Sequence, residues 1–115
     1  MGQEVQKEEK ELEQYIPKDV DDCLVELEKL LINEDYLSIK NGTEEDVLLW
    51  HPSLGRYLRN TWGLWQESRL AKWFNKKGIN HPDEMSHIVL VAFWRDINSE
   101  FINLEELIEE YKDGG

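Results

Sequence analysis

Apolar positions along the chain recur at helical spacing between polar breaks. Val20, Leu24, Leu27 and Leu31 repeat with a 3.6-residue period, with Cys23 and Leu30 beside them, and this predicts an amphipathic helix of roughly three to four turns. Pro17 is expected to open it, with Asp19, Asp21 and Asp22 in the first turn, where negative charge meets the positive end of the helix dipole. Tyr36, Leu37 and Ile39 form only a short apolar patch, closed by the turn signal Asn41-Gly42. Thr43 then starts a short helix that ends in Val47-Leu48-Leu49-Trp50. Asp46 stands three residues after Thr43, as in a capping box with Asp in place of the usual Glu or Gln.

His51-Pro52 breaks the pattern, because proline disfavours a helical residue before it and suits the first position of the next helix. Leu54, Leu58, Thr61 and Trp65 share one face of that helix, Arg56 and Asn60 another. Gly63 is expected to close or kink it and Gly55 to admit a neighbouring backbone. Gln66 or Ser68 begins a further helix with Leu70, Trp73 and Phe74 inward and Gly78 as its terminator, after which Ile79 packs back. Asn80-His81-Pro82-Asp83-Glu84 is the clearest helix start in the chain. The run Ile88–Trp94 behind it, IVLVAFW, is apolar on every side. It allows a buried strand, but the start signals and the continuation to Ile97 favour a helix at the middle of the fold. Asn98-Ser99 ends it, and Asn103 caps a last helix carrying Leu104, Leu107, Ile108 and Tyr111. The expectation is therefore an all-α fold: a compact orthogonal bundle of five to six helices around a central apolar helix at 83–98. Residues 15–113 form a single helical domain, preceded by a mobile acidic arm at 1–14 with little to bury.

Charge sharpens this picture. Residues 1–50 carry 15 acids and 5 bases, residues 51–98 carry 4 and 7, and residues 99–115 carry 6 and 1. A basic middle thus lies between acidic ends, within a net charge of −12. Such a balance disfavours direct nucleic-acid binding and anionic membranes and suits a protein partner with a basic surface. A DNA mimic is a further possibility. No run approaches the ~18 apolar residues of a membrane span, and the N-terminus lacks a signal-peptide core. The lone Cys23 leaves no intramolecular disulfide, as in a reducing cytoplasm.

Three of the four arginines and two of the five tryptophans fall within Arg56–Leu70, RYLRNTWGLWQESRL. Guanidinium groups are costly to bury unless paired, so two readings stand side by side. Arg56, Arg59 and Arg69, with Arg95, could pair with the few acids of the middle (Glu67, Asp83, Glu84 and Asp96) and fix how helices dock. Alternatively Arg56, Arg59, Asn60 and Arg69 could converge on a small anionic ligand such as a nucleotide or phosphate, with Trp62 and Trp65 stacking beside it. Metal and nucleophile chemistry find little support. Asp83 and His87 are four apart and His81 is near, but no HExxH or CxxC spacing occurs, and His81 reads as a cap or loop contact. Ser53, Ser68 and Ser86 lack a nucleophile elbow, and burial is expected to raise the Cys23 thiol pKa. No cofactor and no catalytic residue is predicted.

Arg59-Asn60, Trp62-Gly63-Leu64-Trp65, Ser68-Arg69-Leu70 and His81-Pro82-Asp83-Glu84-Met85-Ser86 together resemble a bacterial domain family of unknown function. Its members share an R-N-x-W-G-L-W segment followed by G-I-x-H-P-D-x-M-S. The resemblance spans roughly Ile16 to Asn98, with Glu84 where the family often has a second Asp. It implies a bacterial or phage source, and that Arg59, Asn60, Trp62, Trp65, Arg69, His81, Pro82 and Asp83 act as one unit. It carries no activity. The leading expectation is a non-enzymatic interaction module of immunity, inhibitor or adaptor type, with the small-ligand domain as the alternative.

Overall fold

A computed structural model describes residues 15–112; the expected arm at 1–14 lies outside them. The described residues form six α-helices and no strand. They are α1 (Val20–Leu30), α2 (Asn33–Asn41), α3 (Arg56–Thr61), α4 (Arg69–Lys76), α5 (Pro82–Ile97) and α6 (Leu104–Tyr111).

Local chemistry explains most of the boundaries. Helix α1 starts later than Pro17 suggests: Asp19 is its N-cap, and the Asp19 carboxylate accepts from the Asp22 amide at 2.9 Å. Proline lacks only its own N–H, whereas the aspartate actively satisfies a free amide, so the aspartate sets the start. The patch around Tyr36 is in fact helix α2, whose one buried residue is Ile39. The capping box at Thr43 is present in both directions: the Thr43 amide donates to Asp46 Oδ2 at 2.9 Å, and the Asp46 amide donates to Thr43 Oγ1 at 3.2 Å. The helix it begins is a 3₁₀ segment, Glu45–Trp50.

Contrary to expectation, His51-Pro52 does not interrupt the helical path. His51 holds right-handed helical angles, φ −58° and ψ −47°, and His51–Gly55 forms a π-helical turn that runs directly into α3. Pro52 lies in the first turn, where its missing N–H leaves nothing unsatisfied.

Downstream terminators follow the sequence closely. Gly63 adopts φ +62°, and the Leu64 amide donates back to the Arg59 carbonyl at 3.0 Å, closing α3 in a Schellman motif. Ser68 caps α4 by accepting from the Ala71 amide at 3.2 Å. Gly78 adopts φ +90° beyond α4, and fully buried Ile79 donates its amide to the Phe74 carbonyl at 3.0 Å. A Cβ on Gly78 would also lie 2.7 Å from Lys112 Cγ. Gly78→Ala is therefore expected to cost about 1–2 kcal/mol, chiefly for forcing a side chain into the left-handed region. Calorimetric unfolding measures this directly. Asn103 differs from expectation: its side chain makes no cap bond to a backbone amide of α6, and its Nδ2 donates instead to Glu106 Oε2 at 2.6 Å.

Helix α5 touches every other helical segment of the described residues. Its buried side chains include Met85, Ile88, Val89, Leu90, Val91, Ala92, Phe93 and Ile97, all round its circumference. Polar ties from its C-terminal half hold the acidic N-terminal region in place. Trp94 Nε1 donates to the Gly42 carbonyl at 3.0 Å. Arg95 grips Glu44 with two nitrogens, at 2.6 and 3.1 Å, and donates a third bond to the Ile102 carbonyl at 2.7 Å. Arg95 thus draws its carboxylate from the acidic first half of the chain and not from the basic middle. The guanidinium holds the Glu44 carboxyl below its usual range. Cys23 is buried on α1, and loss of hydration pushes its thiol well above the ordinary value, as its apolar setting predicts.

Candidate functional site: an arginine clamp and the groove beside it

Arg59 is the polar centre of the fold. It leaves α3 toward α5, where Nη1 donates to Ser86 Oγ at 2.9 Å and Nε lies 3.3 Å from Asp83 Oδ1. Its second terminal nitrogen reaches back and donates to the His51 carbonyl at 3.3 Å. Ser86 is itself fully buried and donates to the Asp83 carbonyl at 3.0 Å. Gly55 makes room for this arrangement: a Cβ there would lie 3.0 Å from Arg59 Nη1. What Gly55 admits is thus the arginine fork one turn on, and not a neighbouring backbone.

The clamp explains the π turn. Widening the helix at His51–Gly55 leaves the His51 carbonyl serving the Arg56 amide, and Arg59 supplies it with a second donor. A planar guanidinium can bridge a carbonyl, a hydroxyl and a carboxylate at once, which an ammonium cannot do in one geometry. The two motifs picked out in the sequence therefore meet in space: Arg59 comes from the R-N-x-W-G-L-W segment, Asp83 and Ser86 from the H-P-D-x-M-S segment.

The other sequence candidates are distributed around this contact. Trp62 is buried in the core and Leu64 with it. Trp65, three residues after Trp62, is 61 % exposed. Arg69 donates from Nε to the Ile16 carbonyl at 2.6 Å, and its guanidinium sits 5.4 Å above the Tyr15 ring. It fastens the segment before α1 to the start of α4. Tyr15 in turn donates from its hydroxyl to Asp22, and that bond is the first cause of a lowered Asp22 carboxyl pKa. Arg56 and Asn60 are exposed. His81 is the exposed N-cap residue of α5 and makes no side-chain cap bond. The structure brings Arg59 and Asp83 into one contact, and it places Arg69 in a separate one.

Two polar positions escaped the sequence reading of the clamp. Ser86 lies inside the quoted H-P-D-E-M-S motif, and its place one turn after Pro82 was the available signal. His51 contributes through its backbone, which no side-chain pattern announces.

Beside the clamp, the exposed side of α3 borders a groove of about 580 Å³. Tyr15, Glu26, Leu30, Tyr57, Asn60 and the rim of Trp62 line it. Its walls mix aromatic and aliphatic side chains with the polar Asn60 and Thr61, and its charged side chain is the Glu26 carboxylate. A second cleft of about 700 Å³ lies between α4 and α6, where Lys76, Lys77 and Lys112 face Glu105 and Glu109 beside Trp73. Both signs of charge occur there together, so it offers no net field to a ligand of one sign. Among the described residues no cluster of three His, Cys, Asp or Glu side chains is placed to hold a metal, and no helix is long and apolar enough to cross a membrane.

No curated protein and no solved structure matches the chain. Residues 16–97, which hold both motifs, the clamp and most of the groove wall, match one family from end to end of that span. The chain belongs to the family described as a domain of unknown function, DUF6794.

Proposed function

We propose that the protein is a non-enzymatic interaction module of a bacterial cytoplasm, of immunity, inhibitor or adaptor type, that receives a basic and partly apolar segment of another protein. The groove between α1 and α3 carries this reading. It offers the half-exposed side chains of Tyr57, Leu30 and Tyr15 beside Glu26. Aromatic and aliphatic anchors bordered by a carboxylate suit a partner whose lysine or arginine stem lies along apolar surface. The net charge of −12 favours rapid encounter with such a partner. The competing reading, a pocket for a small anion, would need Arg59 and Arg69 to leave the oxygens they already serve.

The test uses the full chain and a Tyr57→Ala, Leu30→Ala double variant. Both positions are exposed, so unfolding should move by no more than about 0.5 kcal/mol per site. A partner isolated from the native host is expected to bind the wild type and be released at about 0.5 M salt, where screening acts beyond roughly 4–5 Å. Affinity for the double variant should fall at least about thirtyfold, as for loss of one aromatic hot spot. Undiminished binding by the variant rules out the groove. A rise in melting temperature with nucleotides or phosphate, abolished by Arg69→Ala, would favour the anion pocket instead.

A further inference from the structure

One polar contact belongs neither to the groove nor to the clamp. His51 Nε2 lies 2.8 Å from His87 Nδ1, and His87 Nε2 lies 2.9 Å from the Tyr111 hydroxyl oxygen. The adjoining rings are 4.9 Å and 5.0 Å apart. All three side chains are half-buried. They come from three separate elements: His51 from the π turn, His87 from α5 and Tyr111 from the last residue of α6.

Counting protons shows what this chain of contacts tolerates. Two ring nitrogens at this distance can share one hydrogen and no more. With both imidazoles neutral, two arrangements satisfy both contacts. In one, His51 Nε2–H donates to His87 Nδ1, and His87 Nε2–H donates to the Tyr111 oxygen. In the other, His87 Nδ1–H donates to His51 Nε2, and the Tyr111 hydroxyl donates to His87 Nε2. One added proton keeps the shared hydrogen and places hydrogens on both outer nitrogens, His51 Nδ1 and His87 Nε2. A second added proton sets N–H against N–H, and the contact must open.

We infer that His51, His87 and Tyr111 form an acid-labile latch, closed while the two imidazoles hold at most one added proton and opened between His51 and His87 by the second, which loosens the π turn from α5.

The surroundings set when this happens. Burial is the first cause lowering the pKa of both histidines below the ordinary 6.5. Arg59 on α3 further opposes charge on His51, while Asp83 on α5 favours it. On His87 the facing His51 opposes charge and Glu44 favours it. Around Tyr111 stand Glu110, Glu44 and Glu84, with Arg95 of opposite sign. Because the folded pKa values are lowered, the opened state binds more protons. The latch's contribution is therefore whole above pH 6.5 and is withdrawn as pH falls through the lowered values. The His87 bond to Tyr111 persists, and Arg59, bonded to the His51 carbonyl and to Ser86 Oγ, still ties the π turn to α5, so the opening is local.

Amide hydrogen exchange on the full chain tests this. Between about pH 7.5 and pH 5.0, after correction for intrinsic rates, opening of His51–Gly55 should rise about tenfold relative to α4, the factor carried by one lost part-buried hydrogen bond. In His51→Gln, whose amide still donates to His87 Nδ1 but does not titrate, that rise should shrink to within about twofold. An equal rise in the π turn and in α4, or an undiminished rise in His51→Gln, overturns the latch. If the variant does not fold, nitrogen-15 titration of the wild-type imidazoles decides. Two linked steps below pH 6.5 support the latch, and two independent titrations at the ordinary 6.5 overturn it.

Discussion

Trp62→Ala should destabilise the protein by about 3–5 kcal/mol, whereas Trp65→Ala should change stability by no more than about 0.5 kcal/mol. The two residues stand three apart in the same motif, and composition cannot rank them. Burial can: Trp62 is 2 % exposed in the core cluster, and Trp65 is 61 % exposed. Truncating Trp62 removes a large apolar surface and leaves a cavity among side chains already fixed by α5. Truncating Trp65 removes mostly surface that already faces solvent. Denaturant unfolding of the two variants, compared at equal slope, measures the difference. Comparable losses from both would mean that the turn after α3 packs otherwise than described.

The arginine clamp leads to an equally lopsided result. Arg59→Ala should cost about 2–4 kcal/mol, while Asp83→Ala should cost about 1 kcal/mol or less. The guanidinium is mostly enclosed, with 11 % of its side chain exposed, and it donates to a fully buried hydroxyl and to a backbone carbonyl. Hydrogen bonds with one charged partner contribute ~1.5–3 kcal/mol each, and buried acceptors left behind are costly. The carboxylate is 70 % exposed, so solvent screens its share of the ion pair and water replaces the lost bond. Arg59→Lys should recover little, because one ammonium nitrogen cannot stand within bonding distance of three acceptors that the fork meets with three separate nitrogens. Melting temperatures measure this well: at roughly 4–8 °C per kcal/mol for a domain near 100 residues, Arg59→Ala should fall by about 8–32 °C.

What the sequence disclosed depended on whether the cause was local. The ends of α3 and α4 were legible because Gly63, Ser68 and Gly78 act on amides and carbonyls a few residues away. The start of α5 was legible for the same reason, since Pro82 and the two acids after it need no partner elsewhere. Helix α2 left no stripe to read, because Ile39 is the one residue it buries. The clamp was half visible. Few acids occur in the basic middle, which pointed to Asp83 as a partner for an arginine there, but Arg95 took Glu44, 51 residues away. The histidine contact was invisible, since His51 and His87 are separated by 36 residues and no periodic pattern connects them. His51-Pro52 misled because the rule against a helical residue before proline is a steric preference. Here the wide turn relieves the crowding, and Arg59 satisfies the carbonyl it exposes.

The π turn also sets phase. Each residue advances an α-helix by about 100°, so a turn with one residue more than usual rotates everything before it relative to everything after. Leu58 and Trp62 face the interior while His51, on the same unbroken path, faces across to His87. Loop length at 51–55 is thus as much a part of this architecture as residue identity. A relative one residue shorter there, with every side chain conserved, would aim its first imidazole about a quarter-turn away from its partner.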